Sequence, residues 1–222
     1  MILVAPSLLS SDFTRIEEAV AAAEAGGADW VHVDVMDGHF VPNLTFGPAL
    51  VARLKAKTRL PLDVHLMVDN PRQVVPWFID AGADCISIHA EATDHLHRDL
   101  DAIRTAGRKA GVALNPGTPL SVLPEVLGDL DYILLMCVDP GSGNQRFIES
   151  SRDKIRRLRR MIVERGISAL VEIDGGVNLE NMASLIRDGA QIFVAGNAVF
   201  NHPDPRQAVA RMKEIARSAE SA

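Results

Sequence analysis

Three stretches of this chain repeat one pattern, in which a glycine, an alanine and a polar residue lead into a short apolar run. GlyGlyAlaAspTrpValHisVal occupies 26–33, AlaGlyAlaAspCysIleSerIle 81–88 and AspGlyAlaGlnIlePheValAla 188–195. The matched residues Ala28, Ala83 and Ala190 are 55 and 107 positions apart. Those spacings are two and four multiples of a unit of about 27 residues, the size of a short strand with its crossover helix. Eight such units consume the 222 residues. Runs rich in Val, Ile and Leu predict strands near 2–9, 30–36, 62–68, 85–91, 110–115, 131–138, 169–174 and 191–196. Helical spacing predicts helices over Phe13–Ala25, Pro71–Ala81, Leu96–Ala106, Arg152–Glu164 and Pro205–Ser218. Ser11 or Asp12, Asn70-Pro71 and Asp204-Pro205 suit helix starts, and Gly82, Gly166 and Gly189 suit helix ends. Strict alternation of strand and helix requires a parallel sheet. Eight strands in so short a chain favour a closed one, so the expected fold is a single-domain (β/α)8 TIM barrel over residues 1–222, with no linker or second domain.

Composition narrows the function. A net charge of −6 with 5% aromatic residues argues against a nucleic-acid partner. No apolar run approaches a membrane span, and the first residues lack the basic flank and small-residue cleavage site of a signal peptide. Cys85 and Cys137 are too few for a disulfide framework and read as buried thiols, so a cytoplasmic location is expected. The basic run Arg152–Arg160 carries helically spaced Ile155, Leu158 and Ile162 and reads as a solvated helix face, with an anion site as the alternative.

In a (β/α)8 barrel, chemistry sits at the C-terminal ends of the strands. The second strand ends ValHisValAspValMetAspGly, so His32 and Asp34, two apart, share a face while Val31, Val33 and Val35 take the other. The third carries His65 and the seventh ends at Asp174, just before Gly175-Gly176. Two His and two Asp converging at one end suit a divalent metal, with Zn²⁺ favoured and Mn²⁺, Fe²⁺ or Co²⁺ possible. The alternative is a hydrogen-bonded polar layer without an ion. Asp37 is either a partner of a ligand or a turn residue before Gly38. Met36, Met67 and Met136 at strand ends are either core packing or a polarizable lining around a flat intermediate. Glycines cluster after three neighbouring strands, in AspProGlySerGlyAsnGln (139–145), Gly175-Gly176 and Gly196-Asn197. Such rims free backbone N–H groups for a phosphate, and the stretch from Asp139 to about Ser150 is long enough for a lid.

HisValAspValMetAspGlyHisPheValProAsn (32–43), LeuAspValHisLeuMetVal (62–68), the AspProGly-x-Gly-x-Gln loop and GluIleAspGlyGlyVal (172–177) resemble the ribulose-phosphate 3-epimerase family. AlaProSerLeuLeu (5–9) and ValAlaGlyAsnAlaValPhe (194–200) match its first and last strands. The resemblance implies a TIM-barrel isomerase that interconverts D-ribulose 5-phosphate and D-xylulose 5-phosphate. It implies that His32, Asp34, His65 and Asp174 hold the metal and that Asp34 and Asp174 are the acid/base pair. By the same resemblance Ser7, His65 and the three methionines meet the substrate, and Gly141, Ser142, Gly143, Asn144, Gly175, Gly176, Gly196 and Asn197 receive its phosphate. No redox cofactor is implied, and a homo-oligomer is expected. Asp139, Ser142, Asn144 and Asn197 depart from the family's usual Asn, aromatic, Gly and Ser. Asp139 puts a carboxylate near the expected phosphate site and raises D-allulose 6-phosphate as an alternative substrate. A non-catalytic sugar-phosphate binding protein is the alternative of another class. A decarboxylase on a related barrel would want Asp-x-Lys-x-x-Asp where Met36 stands.

Overall fold

A computed structural model describes residues 1–220. Among these, eight strands form one parallel sheet: β1 (Leu3–Pro6), β2 (Val31–Met36), β3 (Leu62–Met67), β4 (Cys85–His89), β5 (Lys109–Leu114), β6 (Tyr132–Met136), β7 (Leu170–Asp174) and β8 (Ile192–Ala195). Each of β2 to β7 pairs with its successor, and β1 pairs with β8. A parallel bridge between Ser7 and His32 brings the two remaining edges together. The fold is the expected (β/α)8 barrel.

The helices are α1 (Ile16–Gly26), α2 (Pro48–Lys55), α3 (Pro71–Asp80), α4 (Leu96–Thr105), α5 (Ser151–Glu164), α6 (Met182–Asp188), α7 (Asn197–Phe200) and α8 (Pro205–Glu220). On α5, Ile155, Leu158 and Ile162 are buried while Arg157 pairs with Asp153 on the solvent side, as an amphipathic stripe requires. Three features differ from the pattern read in the sequence. β1 stops at Pro6, where Leu8–Ser10 turns into a 3₁₀ segment. Residues Phe13–Arg15 are likewise 3₁₀, capped by Asp12, and α1 begins only at Ile16. Between β5 and β6 the described residues carry two 3₁₀ turns, Leu120–Val122 and Leu127–Asp129, in place of a crossover helix. Pro116, Pro119 and Pro124 deny that segment the N–H groups a helix would need.

Strand alternation divides the molecule into two cores. Val31, Val33 and Val35 on β2, Leu62, Val64 and Leu66 on β3, and Val171 and Ile173 on β7 join the layer between sheet and helices. The intervening side chains point into the barrel, where Ala5, Trp30, Cys85, Tyr132, Ile192 and Val194 make an apolar cluster. Beside it the interior is polar. His32, Asp34, Asp63, His65, Ser87, His89 and Glu172 are all buried. Register stacks them in layers, with His32 opposite Asp63, Asp34 opposite His65 and Met36 opposite Met67.

Gly111 on β5 makes room for this interior, because a Cβ at that position would overlap the Tyr132 ring. The ring in turn lets the Tyr132 hydroxyl donate to Asp63 Oδ1 at 2.9 Å. Gly111→Ala should destabilise the fold by about 1–3 kcal/mol through overpacking. Thermal unfolding should register this at roughly 2–4 °C per kcal/mol for a chain of this size; an unshifted midpoint would show that the ring has room to move.

Candidate metal and proton-transfer site

His32 and Asp34 leave β2 on its inner face, and His65 and Asp174 join them from β3 and β7. One ligating atom from each lies within 4.8 Å of the others, a group that could hold a metal ion. Asp34 Oδ1 stands 3.3 Å from both His32 Nε2 and His65 Nδ1. Asp34 Oδ2 accepts the Ser7 hydroxyl at 2.5 Å, and Ser7 Oγ also accepts the Leu9 backbone N–H at 3.2 Å. On the far side of the His32 ring, Nδ1 is 2.6 Å from Asp63 Oδ2. That carboxylate fixes Nδ1 as the hydrogen-bearing nitrogen and aims Nε2 at the cluster, the usual orientation of a metal-binding histidine. Nε2 is buried and makes no hydrogen bond among the described residues. An orphaned imidazole nitrogen beside two carboxylates and a second imidazole fits a divalent cation by donor type and by charge.

The electrostatics separate the two aspartates. Burial works against the charge on Asp34, but the positive charge favoured on His32 and the hydrogen bond from His65 outweigh it and hold the carboxyl low. Asp174 is pushed up to about 7, by burial first and then by the negative charge of Asp34. His32 is desolvated, yet Asp34 and Asp63 on either side raise its pKa well above the ordinary value. His65 falls to about 4, chiefly through burial, against the pull of Asp34. The cluster thus favours positive charge at its centre, supplied by a proton or by a cation.

Over this floor lies a cavity of about 720 Å³. Ser7, Asp34 and Asp174 line it with Met36, Met67 and Met136, whose thioethers form its apolar wall. Gly141, Ser142, Gly143 and Asn144 from the β6–α5 loop, Gly175 and Gly176 after β7, and Gly196 and Asn197 after β8 form its rim. Gly175 and Gly176 have φ of +110° and +68°, and added Cβ atoms would overlap Val138 and Phe147, so only glycine fits there. The β6–α5 loop is tied on both sides. Asn43 Nδ2 donates to the Gly141 carbonyl at 3.2 Å, and Asn197 Nδ2 to Asn144 Oδ1 at 3.3 Å. Asp139 is exposed and lies outside the cavity lining. Its carbonyl accepts Gln145 Nε2 at 2.6 Å.

A model of the ribulose-phosphate 3 epimerase family matches residues 3–200. The chain belongs to this family. It is 51% identical over 98% of its length to the chloroplastic ribulose-5-phosphate-3-epimerase of Arabidopsis thaliana, 78% of which is covered. Identity is 50% to the ribulose-phosphate 3-epimerase of Bacillus subtilis, over 96% of this chain and 99% of that one. The Escherichia coli K12 enzyme of the same name is 48% identical over 95% and 94% of the two chains. Among solved structures, 3-hexulose-6-phosphate synthase from Salmonella typhimurium superposes with a TM-score of 0.76 at 15% identity, covering 98% of this chain and all of that one. That likeness extends to the fold alone.

The four candidate donors lie in the cluster, and Ser7, the three methionines and the residues of the three glycine clusters named from the sequence of this family member lie along the cavity, apart from Asp139. Asp37 proves to be a turn residue, its oxygens accepting the N–H groups of His39, Phe40 and Asp69. Cys85 and Cys137 are buried free thiols. Asp63, His89, Tyr132 and Glu172 were not singled out. Asp63 stands two before His65, and Glu172 two before Asp174, so the alternation that revealed His32 and Asp34 carries the signal for both. Glu172 is buried with neither carboxylate oxygen hydrogen-bonded, and burial followed by Asp63 raises its pKa well above the usual range.

A cation entering this cluster must displace the protons favoured on Asp174 and His32. Zn²⁺ affinity, measured by chelator competition, should therefore fall as the pH drops from 8 to 5.5, steepening below about 7, where Asp174 takes up its proton. Affinity independent of pH across that range would mean that neither group binds the ion. His65→Ala should lower the zinc content found by elemental analysis, and an unchanged metal-to-protein ratio would remove His65 from the donor set.

Proposed function

We propose that the chain is a ribulose-phosphate 3-epimerase that interconverts D-ribulose 5-phosphate and D-xylulose 5-phosphate. Asp34 and Asp174 are the proton-transfer pair, and His32, Asp34, His65 and Asp174 are the donors for one divalent cation, Zn²⁺ by preference. The observation that carries this reading is the meeting of two carboxyl groups from β2 and β7 at the floor of one cavity, in environments that push their pKa values in opposite directions. Paired groups whose environments push their pKa values apart mark acid and base. It stands in a chain about half identical to proteins of that name.

The C3 proton of a ketose phosphate lies alpha to the C2 carbonyl. Its removal leaves a planar enediolate, and its return on the opposite face inverts the centre. A carboxylate must take the proton on one side and a carboxylic acid must deliver one on the other. Asp34 and Asp174 arrive from β2 and β7, with β1 and β8 between them in the sheet, so they approach a bound substrate from different directions. One of the two takes the C3 proton as a carboxylate while the other, as a carboxylic acid, delivers a proton to the opposite face; the reverse reaction exchanges the roles. The cation would stabilise, as a Lewis acid, the negative charge that develops at the C2 and C3 oxygens. Ser7 orients Asp34 through its 2.5 Å hydrogen bond. The methionine wall offers a polarizable, water-poor surface to a flat intermediate. The glycine rim presents backbone N–H groups to the phosphate, and the exposed Asp139 lies outside the lining that would receive it. The free buried cysteines suit a reducing, cytoplasmic setting.

Proton NMR in D₂O with the metal-loaded protein tests the proposal. Ribulose 5-phosphate should lose its C3 proton signal as the xylulose epimer appears, and Asp174→Asn should abolish this while the protein stays folded by circular dichroism. Faster exchange with allulose 6-phosphate would reassign the substrate to a six-carbon ketose phosphate. Absence of exchange with either sugar would leave a binding protein. Full activity in Asp174→Asn would remove that residue from the proton-transfer pair.

A further inference from the structure

His32 is oriented by Asp63, but His65 touches no carboxylate on its far side. There its Nε2 meets Nε2 of a second histidine, His89, at 2.8 Å. The two rings are stacked with centroids 5.0 Å apart and planes 30° from parallel. His89 sits at the end of β4, fully buried, with the Phe40 ring 4.6 Å away on another side. Its Nδ1 lies 3.1 Å from Glu91 Oε2. Glu91 Oε1 accepts the Asn115 backbone N–H at 2.8 Å and also the Thr118 hydroxyl. Burial opposes charge on Glu91, but these three donors outweigh it and hold the carboxyl down at about 2.

We propose that Glu91 and His89 are positioning residues for the metal site, forming a polarised chain that commits His65 to present an unprotonated Nδ1 to the cluster. The direction follows from counting protons. A carboxylate only accepts, so His89 Nδ1 carries hydrogen. With that hydrogen as its one ring proton, His89 offers a lone pair on Nε2. A 2.8 Å contact between two ring nitrogens needs one proton, so His65 Nε2 donates it. With a cation in place of the 3.3 Å hydrogen bond between His65 Nδ1 and Asp34 Oδ1, that leaves the lone pair of His65 on Nδ1, facing the metal. The β4 exit and the β5–β6 segment thereby act on a ligand carried by β3, although neither contributes a residue to the four-donor group.

The inference rests on the metal reading above, and the isosteric substitution Glu91→Gln tests it. The Asn115 N–H and the Thr118 hydroxyl require an acceptor at the Oε1 position, so the new amide oxygen stays there and its NH₂ faces His89 Nδ1. His89 must then carry hydrogen on Nε2, opposing the hydrogen that a metal-bound His65 carries on its own Nε2. Zn²⁺ affinity in chelator competition should fall about 10- to 100-fold, the usual range for losing an outer partner of a ligand, while the metal-free protein stays folded by circular dichroism. Equal Zn²⁺ binding by wild type and Glu91→Gln would overturn the chain, whereas a wild-type protein that binds no Zn²⁺ would overturn the metal reading itself. Nitrogen-15 histidine spectra of the Zn²⁺-loaded wild type decide the matter without any variant. Hydrogen on His89 Nδ1 with a bare, accepting Nε2 is the expected result; hydrogen on His89 Nε2, alone or on both nitrogens, would overturn it.

Discussion

Four carboxyl groups, Asp34, Asp63, Glu172 and Asp174, are enclosed in one barrel interior, and the rest of the structure answers to that fact. Carboxylates taken out of water must be neutralised, paired or bound to a cation. Asp63 is satisfied by His32 Nδ1 and the Tyr132 hydroxyl. Glu172, without a hydrogen-bond donor, holds its proton. Asp34 and Asp174, uppermost, are left to share the positive charge that the imidazoles or an ion provide. Charge is thereby concentrated directly beneath the cavity rather than deeper in the barrel.

The layering is a consequence of parallel register. Because β2 and β3 run side by side with His32 opposite Asp63 and Asp34 opposite His65, each acid lies beside an imidazole of the neighbouring strand. A shift of one residue would turn those side chains into the helix layer and bring valines inside. The outer valine faces therefore hold the register on which the inner polar pairs depend. Strand β4 extends the same scheme outward, so the site has two histidines of similar role but different support: one held directly by a carboxylate, the other through an intervening ring.

The fold was legible because the repeat of strand and helix is local, and residues two apart on one strand share a face whatever the tertiary structure. His32, Asp34, His65 and Asp174 were found on that basis, as were the glycines beside them. Asp63 and Glu172 obey the same rule, but a polar residue deep in a strand reads as an ordinary exposed position until closure encloses it. His89 was harder. Its meaning depends on which strand lies beside β3 and on a 2.8 Å contact across 24 residues, neither of which the apolar pattern states. The missing crossover helix after β5 was signalled by prolines, whose effect on helix propagation is local even though the compensating 3₁₀ turns are not.

The seam of the barrel has a consequence for biosynthesis. β1 is the first strand to be synthesised, yet its partner is β8, with Leu3 aligned to Ile192 and Pro6 to Ala195. Ser7 reaches Asp34 from the end of that strand. On a growing chain β1 must wait until β8 has emerged before its hydrogen-bonding edge is covered. Contacts so distant in sequence form late, because the entropy of closing the loop precedes any gain. A nascent chain stalled before β8 would carry both histidines and both aspartates but no closed ring around them. Emergence of β8, rather than the appearance of the functional residues, is thus the event that assembles the site.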